Sequence, residues 1–241
     1  MNDVPSPRPH ESKDKSSATL LGCMWAGIIL TVIVGIAFFV IVPRIMAKRQ
    51  ESIDNLKRIA LALHNYHDTY LKFPTAHFDD EDGTPRRSWR TAILPFIEES
   101  KLYEKYDHNQ MWNSDKNLPL ANETPVAFRS VFCDCSNGKT PFVVITGEST
   151  AFPDGKFLSF ASFTDGTSNT LLVIADYENP VKWSEPVDVT LDDFLARYGD
   201  RDDAVLHVAM ADASVIKIHK VPVHILKMLA ERNDGSVIPQ F

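Results

Sequence analysis

Cysteine is scarce in this chain: three stand among 241 residues, and one of them, Cys23, falls inside an apolar run. The other two, Cys133 and Cys135, are separated only by Asp134, so no multi-disulfide framework can be built from them. Two free thiols and a redox-labile Cys-x-Cys pair are both open, and zinc, which needs about four ligands, finds no second cysteine pair. A glycine-rich phosphate loop is missing too, since Gly138-Lys139-Thr140 lacks the preceding glycine and the helix of a P-loop. The serine nucleophile elbow is absent: Gly166-Thr167-Ser168-Asn169-Thr170 has no final glycine and leads into a strand. Positive charge is in deficit, 25 Lys and Arg against 32 Asp and Glu, for a formal net charge of −7. In residues 1–19 Arg8, Lys13 and Lys15 balance Asp3, Glu11 and Asp14, so the acidity belongs to the rest of the chain. An acidic surface repels phosphate backbones, and nucleic acid is not an expected partner.

What the chain has in excess is one apolar run. Leu20 to Val42 spans 23 residues without a charge and is followed by Pro43-Arg44. As a helix it covers roughly 35 Å at about 1.5 Å per residue, enough to cross a bilayer's hydrocarbon core with some tilt. A cleaved signal peptide has a shorter apolar core and small residues at its end, whereas Arg44, Lys48 and Arg49 follow here. Leu20-Leu21-Gly22-Cys23 opens the run instead of closing it, unlike a lipoprotein cleavage box. The segment is therefore expected to remain as a signal anchor, with the lipid bilayer as its partner. The organisation that follows is a disordered polar tail at 1–19, a transmembrane helix at 20–43, a membrane-proximal amphipathic helix at 44–73 and a globular domain at 74–241.

Beyond the run, Ile53, Leu56, Ile59, Leu63, Tyr66 and Tyr70 recur at three- and four-residue intervals, the period of one helical face, and Pro74 is expected to end that helix after Phe73. Pro43 is expected to kink it near the membrane exit. A short helix is expected at Trp89–Tyr106, with Pro95 in a first turn or at a kink, and another at Val221–Arg232. Phe142–Thr146, Phe157–Phe163, Thr170–Asp176 and Val205–Ile218 read as strands, the last with a hairpin turn at Ala211-Asp212-Ala213-Ser214. Helix first and strands afterwards, without regular alternation, predicts an α+β fold with an antiparallel sheet.

Several strings then fall in a recognisable order. They are Asn55 to Tyr70 (NLKRIALALHNYHDTY) with Phe73-Pro74, Ser88-Trp89-Arg90 with Leu94-Pro95-Phe96-Ile97-Glu98, the Phe-x-Cys region around Cys133 and Cys135, Asp165-Gly166-Thr167-Ser168-Asn169-Thr170, and the hairpin His207 to Val215. Together, over about residues 53–218, they resemble the bacterial DUF1559 family, whose members are labelled prepilin-like or SBP_bac_10. The resemblance implies a pilin-like architecture, a long N-terminal helix half in the membrane and half packed on an antiparallel sheet, in a domain exported to the cell envelope. It implies no particular activity. Leader-bearing relatives carry Gly-Phe-Thr-Leu-Val-Glu at the head of the helix, where this chain reads Ser17-Ala18-Thr19-Leu20-Leu21-Gly22, so the resemblance carries no expectation of leader cleavage or filament assembly. Relatives also tend to have Gly at position 213; Ala213 resists a positive φ, which predicts a different or longer turn.

The candidate ligand or structural residues are Asp165, Gly166, Thr167, Ser168, Asn169, His207 and Asp212. Short polar side chains at 165–170 bond their own backbone, the chemistry of a turn entering a strand. His207, on an alternating strand, is expected to be packed and hydrogen-bonded. His64, His67 and Asp68 share metal-ligand spacing, but they adjoin a face that must pack on a sheet and are expected to bond the helix to a loop. The acidic stretch after His77 lacks calcium-loop spacing. No catalytic residue, metal or cofactor is expected, and the chain is not expected to be an enzyme. The expected role is structural or interactive, with an envelope protein or polymer as partner. The alternative is an exported solute- or carbohydrate-binding module in which Trp89, Trp112 and Trp183 stack on a ligand. Basic residues number three before the run (Arg8, Lys13, Lys15) and five after it (Arg44, Lys48, Arg49, Lys57, Arg58), which by itself favours a cytoplasmic domain. The resemblance implies the reverse, and residues 44–241 are expected outside.

Overall fold

The apolar run is helical along its described length. In a computed structural model that describes residues 15–203 and 205–239, α1 (Lys15–Ile36) passes into one π-helical turn (Ala37–Ile41) and then into α2 (Val42–Tyr70). Helix begins at Lys15, within the stretch expected as a disordered tail, and residues 1–14 of that tail lie outside the described residues. The π turn sits just ahead of Pro43. Proline has no N–H, and its ring presses on the carbonyl four residues back, that of Phe39. Widening the turn lets the Val42 N–H reach the Ala37 carbonyl, five residues back.

The chain divides into two units, Met1–Ala47 and Lys48–Phe241. In the first, the large apolar side chains from Met24 to Met46 are exposed, Phe39 to 78 %. The helix from Met24 to Tyr70 is long and apolar enough to cross a membrane.

In the second unit, Leu56, Ile59, Leu63 and Tyr66 of the periodic set form the buried face of α2, with Ala60 and Ala62 beside them, whereas Ile53 is half-buried, Tyr70 at the helix end is exposed and Lys57 faces solvent. The helix stops at Tyr70, three residues earlier than Pro74 predicts. Leu71 takes a left-handed conformation, φ 58°, and its N–H donates to the His67 carbonyl at 2.6 Å. That reversal carries Phe73 into the core, where its N–H bonds Leu158 O at 2.7 Å.

Next come a hairpin, β1 (His77–Asp79) and β2 (Pro85–Ser88), and short helices α3 (Trp89–Ala92), α4 (Ser100–Lys105) and α5 (Leu118–Ala121). Short strands β3 (Lys139–Thr140), β4 (Phe142–Val143) and β5 (Ile145–Thr146) precede β6 (Leu171–Ala175), β7 (Val181–Lys182) and β8 (Val189–Thr190). The described chain closes with α6 (Leu191–Tyr198), β9 (Val205–Met210), β10 (Val215–His219) and α7 (Val223–Ala230). The main sheet has the order β10-β9-β6-β4 and is antiparallel throughout, so the fold is α+β; the separate pair β5–β8 is parallel. Both faces of the sheet are covered, and all five residues of β6 are buried. Val173, Ala175 and Ala209 pack with α2, whereas Ile174, Val208 and Met210 pack with Phe194 of α6 and Leu226 of α7.

Four expectations change. Phe157–Phe163 is not a strand: a 3-10 turn at Phe160–Ser162 replaces it. Its aromatic spacing serves side-chain packing, because the Phe160 ring stacks near His67 and Phe73 and the Lys72 ammonium lies 3.7 Å from the Phe157 ring. Phe142–Thr146 is broken at Val144, whose N–H turns to Asp188 Oδ1 at 2.9 Å, so β4 pairs with β6 and β5 with β8. Trp89–Tyr106 is three pieces, with Pro95 in the first turn of a 3-10 helix at Leu94–Ile97 and Glu98 at φ 66° ending it. Ala213 adopts the positive φ it was expected to resist, 63°; the Ala213 N–H bonds Met210 O and the Met210 N–H bonds Ser214 O, each at 2.9 Å. The loop is the longer, three-residue type with a left-handed third position.

Candidate functional site

The loop at 165–170 is built by its own short side chains. Gly166 at φ 99° lets it turn, the Asn169 N–H and the Thr170 hydroxyl bond the Gly166 carbonyl at 3.1 Å, and Asn169 Nδ2 bonds Asp165 O at 2.8 Å. Two backbone bonds dock this loop on the hairpin turn: Asp212 N to Thr167 O at 3.0 Å and Ala211 N to Thr170 O at 2.8 Å. The ring of His64 reaches the same turn from α2, its Nε2 lying 2.9 Å from Ala211 O. The helix, the loop and the hairpin, three of the strings singled out in the sequence, thus meet at one point of the fold.

The acidic groups there are already engaged. The Asp165 carboxylate accepts from the Asp234 and Gly235 N–H groups at 2.7 and 3.0 Å, and Asp212 Oδ1 accepts from Ser214 N at 2.8 Å. Both carboxylates accept from backbone donors, which fixes loop geometry. Ser168 is exposed.

His207 does not join this group. It lies toward the other end of β9, half-buried, where its Nδ1 is 3.0 Å from the Tyr177 hydroxyl and its ring stacks on Phe132 with centroids 5.5 Å apart. Burial, with Lys217 across the strand pair adding to it, holds its pKa below the ordinary histidine value. His67 accepts from the Phe160 N–H at 3.4 Å, again a helix-to-loop contact.

The densest buried electrostatics lie elsewhere, around a string that carries the family resemblance and two carboxylates outside any such string. Ser88-Trp89-Arg90 enters α3 with the Ser88 hydroxyl capping the Arg90 N–H. The Arg90 side chain, fully buried, meets Asp188, 4 % exposed, at 2.7 Å. It also donates to Phe142 O and to the Ser88 hydroxyl, while Asp188 Oδ1 takes the Val144 N–H and the Trp89 indole N–H. Burial pushes Arg90 down and Asp188 up, and the ion pair opposes both. A second buried carboxylate, Asp176, accepts from the Tyr198 hydroxyl and Arg197, each at 2.7 Å, and from Asn179. Neither Asp188 nor Asp176 stands in a local pattern that could have betrayed it. Both networks hold loops to the sheet.

The tryptophans do not gather around a cleft: Trp89 and Trp183 are fully buried, with Trp183 stacked on Phe128, and Trp112 is half-buried. Among the described residues no group of three or more His, Cys, Asp or Glu side chains converges on a metal-sized point. A groove of about 410 Å³ runs beside α2, lined by residues that include Lys48, Glu51, Ser52, Arg129, Ser130 and Cys135. Cys135 is bonded to Cys133 in a disulfide.

A family model described as SBP_bac_10, protein of unknown function (DUF1559), matches residues 43–137. Within it fall the helix string, Ser88-Trp89-Arg90 and the cysteine pair; the loop at 165–170 and the closing hairpin lie beyond it. No curated protein and no solved structure matches the chain. Over those residues, about two fifths of its length, the chain is similar to the DUF1559 family.

Proposed function

We propose that this chain is a single-pass, membrane-anchored domain of pilin-like architecture, displayed outside the cytoplasm, with a structural or interaction role and no catalysis. The observation that carries the reading is the helix from Met24: its large apolar side chains through Met46 are all exposed, an arrangement that water penalises and a bilayer rewards. The polar clusters support a non-catalytic role. The carboxylates of Asp165, Asp176, Asp188 and Asp212 each accept hydrogen bonds from within the fold, a use that fixes loops. The carbohydrate-binding alternative needs tryptophans on a cleft wall, and Trp89 and Trp183 are core residues. The partner of the displayed domain is then an envelope protein or polymer.

Two measurements test this. Carbonate extraction should leave the chain in the membrane pellet with residues 1–43 retained; a soluble form beginning near residue 44 would defeat the anchor. Alkaline phosphatase fused after Phe241 should be active, and an inactive, stably expressed fusion would place the domain in the cytoplasm, as the simple count of basic residues favours.

A further inference from the structure

We propose that Cys133 and Cys135 form a thiol–disulfide exchange site, with Cys135 as the sulfur that a partner's thiol attacks. This goes beyond the anchoring role and stands independently of membrane topology.

The first ground is connectivity. A disulfide stabilises a fold chiefly by removing loop-closure entropy from the unfolded chain, and the gain grows with the length of the loop closed. Here the bond encloses a single residue, Asp134, in the loop between the 3-10 turn Val126–Phe128 and β3. It joins no two elements and closes almost no loop. A bond so placed contributes little as a staple and keeps its chemistry.

The second ground is access. Both sulfurs belong to half-exposed residues, so a thiol in solution reaches them without unfolding. They are not equivalent, because Cys135 lines the groove of about 410 Å³ beside α2 and Cys133 does not.

The third is charge. The same groove is lined by Lys48 and Arg129, against one carboxylate, Glu51. Arg129 is fixed by its Nε bond to Thr124 O at 2.8 Å, and among the described residues neither Lys48 nor Arg129 is in an ion pair. Cations beside a sulfur favour thiolate over thiol, both for an incoming nucleophile and for Cys135 once reduced.

The exchange balances as follows. A partner thiolate attacks Cys135 Sγ, the bond to Cys133 Sγ breaks, and its electron pair leaves on Cys133, which takes a proton from water. The partner is now held as a mixed disulfide on Cys135. A second thiolate of the same partner attacks its own sulfur in that mixed disulfide and releases Cys135 as thiolate. Two electrons pass from partner to domain: a dithiol becomes a disulfide, and the Cys133–Cys135 disulfide becomes two thiols. The partner class is therefore a dithiol-bearing polypeptide, captured covalently at an interaction surface.

The test uses the full-length chain in detergent on a Cys23→Ala background, with oxidised glutathione as the probe and whole-protein mass spectrometry as the readout. After reduction, Cys133→Ser leaves only the groove thiol and should take up one glutathione about tenfold faster than Cys135→Ser, which leaves only the other. Adding Lys48→Gln and Arg129→Gln to Cys133→Ser should slow uptake about threefold or more. Reducing the Cys23→Ala chain, with both loop cysteines present, should leave its thermal midpoint nearly unmoved. Equal uptake by the two single-thiol variants would overturn the assignment to Cys135. A disulfide that millimolar dithiothreitol opens only after unfolding, or a large fall in the midpoint on reduction, would make the bond a structural staple and overturn the proposal. So would failure of the two thiols to close in oxidised glutathione.

Discussion

Replacing Asp188 by Asn removes the carboxylate that pairs with the fully buried Arg90 guanidinium at 2.7 Å. All three of its donors, Arg90 Nη2, Val144 N and Trp89 Nε1, converge on Oδ1 at 2.7, 2.9 and 3.2 Å, and an asparagine oxygen can accept from the same position. The hydrogen bonds survive, while the fully buried guanidinium of Arg90 loses its carboxylate. Arginine does not deprotonate to escape, so the cost is that of an unpaired buried charge, about 3–5 kcal/mol. Asp188→Ala goes further and orphans the Val144 and Trp89 donors as well, at about 1–3 kcal/mol each. The sum, roughly 5–11 kcal/mol, rivals the whole stability of a domain, about 5–15 kcal/mol, so that variant should yield little folded protein.

The discriminating variant is the double one. Arg90→Met with Asp188→Asn removes both charges and keeps an acceptor for Val144 and Trp89, so most of the loss should return and leave it within about 2 kcal/mol of the parent. Urea unfolding of the full chain in detergent, followed by tryptophan fluorescence, reads this directly because Trp89 and Trp183 are buried. An Asp188→Asn loss under about 1 kcal/mol, or a double variant as unstable as the sum of the two singles, would refute the reasoning.

The α2 face gives a second expectation: Leu63→Ala should cost roughly 2–5 kcal/mol and the exposed Lys57→Ala under about 0.5, measured by the same unfolding curves, and equal losses would mean that the helical face is misread. A third concerns pH. Burial, with Lys217, holds the His207 pKa below its unfolded value of about 6.5, so the neutral ring is favoured in the fold and its contribution is complete above that value. As pH falls below about 6.5, the unfolded chain binds a proton the fold refuses, and stability drops. His207→Gln should flatten the decline between pH 7 and 5 without abolishing it, since burial depresses His108 in the same sense. Parallel stability profiles of parent and variant would count against the buried, neutral histidine.

What the sequence made legible is what local physics controls. The α2 face could be read because a helix packed on one side repeats its apolar residues at three and four, and the hairpin could be read because β9 and β10 are joined by a short turn. The break at Val144 could not be read. It is imposed by Asp188, which lies 44 residues further along and draws the Val144 N–H out of the ladder. Phe157–Phe163 differs for a related reason: a short run rich in aromatics reads as a strand when the backbone pairs, but here Phe157, Phe160 and Phe163 stand three apart and the Phe160 ring packs by His67 and Phe73 at the end of α2. Periodicity reports which side chains want burial, and says nothing about what their backbone bonds.

The same division runs through the candidate site. Asp165, Gly166 and Asn169 announced a turn by residue type alone, and that is what they make. Their meeting with Asp212 and His64 is a tertiary fact, fixed by backbone bonds between segments that no spacing connects. His207 opens the same hairpin string as Asp212, yet a strand carries successive residues steadily away from its turn, and three positions along β9 suffice to give it another neighbourhood of Tyr177 and Phe132. The cysteine pair reverses the pattern. Its adjacency was plain and its significance was not, because only the fold brings Lys48 and Arg129 to the groove where Cys135 lies. Reactivity depends on that borrowed charge and on exposure, neither of which a Cys-x-Cys spacing encodes.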